Sequence, residues 1–143
     1  MQVLKRSLEI DAPPTEVWRV LTTPELVREW AAAYDEGIQI RTSFREGESI
    51  TWKGANGATR SCGTVAACKP ERLLRFEYQG DGRGVFSDTF EISEADQKTR
   101  LMFTSGPFAQ ADFEALERPT QLETKEGGGM TMLLVLKRQA KAK

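Results

Sequence analysis

Residues 86–92 set one acid among aromatic and aliphatic side chains. Their even positions read Phe86, Asp88, Phe90 and Ile92. Alternate residues of a strand share a face, so if Phe90 and Ile92 point inward, Asp88 does too. A carboxylate among phenylalanines is costly unless paired or neutral. Desolvation raises its pKa, which suits a general acid or base, or a polar anchor for a ligand. Asp88 also reads as a strand-end residue beside Gly84, wetted by solvent or bonded to backbone. Arg6 has the same character, standing between Leu4, Leu8 and Ile10 in an alternating run. It reads as a partner for Asp88, as a recogniser of an acidic head group, or as a long side chain snorkelling to the rim. Ser105 is the third polar group, on the face carried by Leu101 and Phe103.

The chain contains no histidine. That removes Ser–His and Cys–His nucleophilic catalysis and the commonest metal ligand. Ser105 is therefore a hydrogen-bond donor rather than an activated nucleophile. Cys62 and Cys68 fall on one predicted strand, about 20 Å apart, too far for a disulfide. Without histidine they also make a poor zinc set. Neither a metal nor a cofactor is expected. Twenty basic and 21 acidic residues leave a net charge of −1. Such a balance gives no long-range field to draw nucleic acid or an anionic membrane. No apolar run approaches the roughly 20 residues of a membrane span. Residues 1–6 alternate and lack the apolar block of a secretion signal. A cytoplasmic protein is expected, in a compartment that keeps thiols reduced. Residues 80–84 are glycine-rich, but they join two strands rather than open a helix, which argues against a phosphate cradle.

These groups need elements to position them. Residues 2–10 alternate throughout and predict a strand. Pro13 and Pro14 follow, tolerated at a helix start because those N–H groups are spare. Val17, Trp18 and Leu21 then give helical spacing. Thr23 as cap and Pro24 in the first turn restart the chain as a second helix, with Leu26, Val27 and Trp30 on its apolar side. The pair covers residues 13–32, and Trp18 and Trp30 pack it against a sheet. Strand signals follow at 38–40, 49–52, 58–68, 73–78, 86–92 and 99–105, with a hairpin turn at Asn56 and Gly57. The total is about seven strands on short links, hence antiparallel. Trp52, Phe76, Tyr78, Phe86, Phe90 and Phe103 fall on presumed inner faces. Each reads singly as core, and together they supply the aromatic lining that pockets show.

Three of the twelve glycines stand together at 127–129, before the apolar run of residues 130–136 (MTMLLVL). Each glycine inside a helix costs about 1 kcal/mol against alanine, so a break or start is predicted there. The run closes on Lys137, Arg138, Lys141 and Lys143, which complement a helix dipole. A helix over 130–141 is too short to persist alone and is apolar nearly all round, so it must pack on the sheet. Met130 and Met132 adapt to varied apolar shapes or fill gaps. Residues 112–126 are helical in part, with Pro119 interrupting, and their continuity with the last helix stays open. One domain over 1–143 follows from the length.

Residues 12–26 (APPTEVWRVLTTPEL), with Trp30 beyond, resemble the opening of START-like (SRPBCC) proteins. They are closest to the family homologous to the activator of the heat-shock protein 90 ATPase. Gly63, Thr64 and Val65, then residues 69–73 (KPERL), resemble that family's middle strand pair. Thr99, Arg100 and Leu101 resemble its last strand, and Gly128 with Leu133, Leu136 and Lys137 its closing helix. The likeness runs through nearly the whole chain. It implies an α+β helix-grip fold: a curved antiparallel sheet of about seven strands, a short helix pair after strand one, and a C-terminal helix packed across the sheet. Two positions depart from the pattern. Gly129 stands where the family often has tryptophan, and Ser105 where it often has histidine. The missing indole leaves volume beside the helix.

The resemblance also implies an apolar cavity between sheet and helix that takes lipids, sterols or aromatic metabolites, a minority of such proteins being polyketide aromatases or cyclases. The expected function is binding of a small hydrophobic or aromatic molecule there. Arg6, Asp88 or Ser105 would fix its polar end, and the six aromatic residues with Met132 would line it. Two other readings stand beside this one. One is a cavity enzyme of aromatase or cyclase type with Asp88 as acid or base. The other is a chaperone-interacting module. A homodimer fits each of the three.

Overall fold

The alternation of residues 2–10 becomes β1 (Gln2–Ile10), with Leu4 and Ile10 buried and Val3, Lys5 and Glu9 exposed. The structure is a computed structural model describing residues 2–32, 37–80, 84–108, 137, 138 and 140. After β1 come α1 (Pro14–Thr22) and α2 (Pro24–Ala31), then β2 (Gln39–Thr42), β3 (Ser49–Lys53), β4 (Thr59–Lys69), β5 (Leu73–Gly80), β6 (Gly84–Ala95) and β7 (Lys98–Phe108). All seven strands form one sheet in the order β1-β7-β6-β5-β4-β3-β2, every neighbouring pair antiparallel. Strands β1 and β2 are consecutive in the sequence yet lie at opposite edges. The helix pair bridges them, α1 lying on β6 and β7 and α2 on β2. That placement makes one face of the curved sheet the inner face and sets the core upon it.

Proline explains how the helix pair is cut. Pro14 and Pro24 each stand in a first turn, where a missing N–H costs nothing. Thr23 is the boundary residue, but its hydroxyl does not cap α2. It donates backwards to the Arg19 carbonyl at 2.6 Å, as Thr22 does to the Trp18 carbonyl at 2.8 Å. The expected side-chain cap is thus replaced by back-bonding that closes α1. Thr23 directly follows the last turn of α1, so the carbonyl four residues back lies within reach of its hydroxyl. The N–H groups of Leu26 and Val27 take the Thr23 carbonyl instead, at 2.9 Å each. Trp30 holds the helices together, its indole Nε1 donating to the Val20 carbonyl at 3.2 Å.

The turns follow their local chemistry. Gly57 carries the positive φ of the β3–β4 hairpin at 84°, and Asn56 Oδ1 accepts the Ala58 N–H at 3.0 Å. Cys62 and Cys68 both lie on β4 and are free thiols. Among the described residues no helix is long and apolar enough to cross a membrane.

The core is fixed to the chain crossing by one buried hydroxyl. Thr99, fully buried at the start of β7, donates to the Ala12 carbonyl at 2.7 Å. Replacing Thr99 with valine keeps the shape and strands that carbonyl. A loss of about 1–2 kcal/mol follows, read as a lowered urea midpoint, and an unchanged midpoint would show that water satisfies the carbonyl.

Of the expected C-terminal helix, Lys137, Arg138 and Ala140 are helical, and Ala140 is buried in the same core as the sheet residues. Met130, Met132, Leu133 and Leu136, with residues 112–126 and the glycines at 127–129, lie outside the described residues.

Candidate functional site

Register, rather than proximity in sequence, assembles the site. One row of paired residues runs across five strands as Val65, Phe76, Asp88, Ser105 and Leu4. The next row holds Leu74, Phe90, Phe103 and Arg6. On the other side Gly63, Tyr78 and Phe86 are paired. On β5 and β6 the alternate residues Glu77 and Glu91 are exposed. The inner face is therefore aromatic, with Asp88 and Ser105 side by side within it.

The rings form a nearly continuous chain. Phe103 meets Phe90 at 4.9 Å between centroids, Phe90 meets Trp30 at 5.7 Å, and Trp30 meets Trp52 at 6.5 Å, the two Trp30 contacts edge-on. Trp52 is joined to Tyr78 by a buried hydrogen bond, indole Nε1 donating to the phenol oxygen at 2.6 Å. Tyr78 in turn packs on Phe86 at 5.0 Å and on Phe76 at 6.2 Å. Edge-to-face and tilted arrangements are those that aromatic quadrupoles favour.

Asp88 is partly buried in this surface, and Ser105 Oγ donates to its Oδ1 at 2.5 Å. Burial pushes the Asp88 carboxyl up to about 6 from an ordinary 3.8, against the pull of the Ser105 hydrogen bond. Tyr78 is driven well above the usual phenol range, first by burial and then by the charge of Asp88, with the Trp52 hydrogen bond opposing. At neutral pH the face thus presents an ionised carboxylate close to its titration point and a neutral phenol. A carboxyl poised there can accept or give a proton. Among the described residues no group of three or more His, Cys, Asp or Glu is placed to hold a metal ion.

Nine of the ten residues singled out from the sequence share this face: Arg6, Trp52, Phe76, Tyr78, Phe86, Asp88, Phe90, Phe103 and Ser105. The tenth, Met132, lies outside the described residues. Arg6 does not pair with Asp88. It stands one row away, opposite Phe103 on the edge strand, and its Nη1 donates to the Lys5 carbonyl at 2.8 Å. The partner of the carboxylate is Ser105.

Two residues of the site escaped sequence reasoning. Phe44, in the loop between β2 and β3, turns its ring onto Phe76 at 6.4 Å, with a φ of 59°. No local pattern announces that contact. Gly63 allows β4 to approach β5 closely, since a Cβ there would fall on the Glu77 carbonyl oxygen. An isolated glycine inside a strand pattern was the available signal.

A groove of about 640 Å³ lies on the opposite face, lined by residues that include Arg72, Thr89 and Glu91. Its other cations already have carboxylates: Lys69 with Glu46 at 3.2 Å, Arg75 with Glu77 at 3.9 Å, and Arg100 with Glu9 at 3.8 Å. It shares no residue with the Asp88 row.

The family model of activator of Hsp90 ATPase homolog 1-like proteins matches residues 11–138. The chain belongs to this family. The fold of an Hsp90-ATPase-activator homologue is found again in solved structures. Protein MLL2253 from Mesorhizobium loti is 17% identical with a TM-score of 0.78, over 99% of this chain and 98% of that one. Protein NE0264 from Nitrosomonas europaea is 21% identical with a TM-score of 0.71, over 98% and 94%. The Aha1 dimer from Colwellia psychrerythraea is 20% identical with a TM-score of 0.70, over 96% and 94%. At these identities the shared property is the helix-grip fold. No curated protein matches the sequence.

Proposed function

We propose that this chain binds a small hydrophobic or aromatic molecule on the inner face of its sheet, with Asp88 and Ser105 fixing the polar end. One observation carries the reading. Asp88 sits among aromatic rings with a hydroxyl as its partner and, among the described residues, no cation, a position that costs stability and invites a ligand group. Ionisable groups perturbed by burial cluster at functional sites, and an aromatic surface with few convergent polar groups is the usual composition of a ligand site. The START-like fold, which commonly holds hydrophobic ligands, supports it. A ligand at a hundred times its dissociation constant adds about 2.7 kcal/mol to stability. A thermal-shift screen of aromatic and lipid-like compounds should therefore raise the melting temperature for some of them. Failure of every compound, together with an inner face filled by the chain's own side chains, removes the proposal.

A second reading is a cavity enzyme in which Asp88 is the acid or base. Its carboxyl at about 6 is what favours this, being near the pH at which such a group must work. Turnover unchanged in Asp88→Asn would dismiss that role. A chaperone contact needs a contiguous apolar patch. Among the described residues the exposed large hydrophobics are Val3, Val85 and Met102, which gives that reading little support.

A further inference from the structure

The inner face holds two polar pairs, and the direction of each hydrogen bond decides what remains for a ligand. Ser105 has a single donor, and it is given to Asp88. Trp52 has a single donor, and it is given to Tyr78. The hydroxyl of Tyr78 accepts that bond, so its own proton remains to be donated, and no acceptor among the described residues takes it. Among the described residues these two pairs thus leave one donor, the Tyr78 O–H, and one acceptor, the second oxygen of Asp88. Tyr78 and Asp88 are diagonal neighbours, because Tyr78 pairs with Phe86 and Asp88 with Phe76. Side chains so related reach one another across a sheet. Rings of Phe76 and Phe86 flank Tyr78.

We propose that the site selects a neutral ligand bearing a hydroxyl on an aromatic ring, and discriminates against carboxylate head groups. A phenolic or enolic hydroxyl satisfies both groups at once. Its O–H donates to Asp88 while its oxygen accepts from Tyr78, and its ring lies against the phenylalanines. A carboxylate has no proton to give and meets a like charge at Asp88. Among the described residues Arg6 is a cation on the same face; it stands one row off, and its Nη1 donates to the main chain of Lys5 at the sheet edge.

This inference rests on the binding reading above, and one experiment separates the two. Three probes share a ring system and differ in head: 1-naphthol, 1-naphthoate and naphthalene. Their dissociation constants are measured at pH 7.5 from the change in tryptophan fluorescence. Naphthol is expected to bind at least tenfold more tightly than naphthalene, and about 100-fold more tightly than naphthoate, the order of one like-charge contact in a partly buried site. In Asp88→Asn, an isostere whose folding is checked by circular dichroism, the penalty on naphthoate should fall to less than about tenfold. In Tyr78→Phe the advantage of naphthol over naphthalene should shrink. Naphthoate binding as tightly as naphthol overturns the inference while leaving the binding reading intact, and loss of that binding in Arg6→Gln would then assign the head group to Arg6. Naphthalene matching naphthol also overturns it, since the polar pairs would go unread. No binding by any probe overturns the binding reading and this inference with it.

Discussion

Gly63→Ala should destabilise the protein by about 3 kcal/mol or more, a fall in melting temperature of about 10 °C. Gly63 lies inside β4, paired with Ile50 on one side and Tyr78 on the other. A Cβ at that position would stand 2.8 Å from the Glu77 carbonyl carbon and 2.9 Å from Tyr78 Cα, on top of the carbonyl oxygen. All three atoms belong to the β5 main chain. No rotamer change relieves the contact, so the two strands must part. Parting them breaks ladder hydrogen bonds in the middle of the sheet and shifts Tyr78. The Trp52 hydrogen bond and the Phe86 contact then go with it. The substitution is therefore expected to weaken both the fold and any ligand affinity. Urea denaturation measures the first effect. A variant with the wild-type midpoint would mean that β4 and β5 leave room for a Cβ at Gly63.

Asp88→Asn should act in the opposite sense at neutral pH. The folded carboxyl titrates at about 6 and the ordinary value is 3.8. Below about pH 4 the group is protonated in both states, and it costs the fold nothing. As pH rises from about 4 to about 6, the unfolded chain loses its proton first while the folded chain still holds one. Stability therefore falls across that window and stays lower above it. Titration at about 6 in place of 3.8 corresponds to about 3 kcal/mol, an upper bound for a partly buried group. Asparagine keeps the shape and an acceptor for Ser105, and it carries no charge. The variant should be more stable than wild type by up to about 3 kcal/mol at pH 7.5, and the difference should vanish near pH 4. Glu46 behaves inversely. Its carboxylate accepts the Cys68 N–H at 2.9 Å and pairs with Lys69, which lowers its pKa. Its stabilisation is present at neutral pH and lost on acidification. Both proteins retain Glu46, so subtracting the two pH profiles isolates Asp88. Superimposable profiles would place Asp88 in water.

The two faces of β1 are legible in the alternation of residues 2–10, and the strand runs over the same residues. The cut between α1 and α2 is legible at Pro24, because a proline in a first turn is a local steric fact. The inward aim of Asp88 follows from Phe86, Phe90 and Ile92, since a strand has only two faces. Period and punctuation thus determined which residues form elements and which side of each element is apolar. The likeness of residues 12–26 to a known family extended this to the order of the whole fold.

Partners were another matter. Asp88 meets Ser105, 17 residues away, and Trp52 meets Tyr78, 26 residues away. Neither distance is a period of any element. Each depends on how strands slide against one another, and a slip of two residues preserves every face while changing every partner. The same holds for Arg6, whose inward face was readable but whose row was not. Thr23 shows the effect within one turn, its hydroxyl serving the helix behind it because the Arg19 carbonyl lies four residues back. Sequence alone therefore determined the faces, which are set by local backbone geometry. The pairs upon them were decided by tertiary structure, because register is chosen by packing summed over the whole sheet.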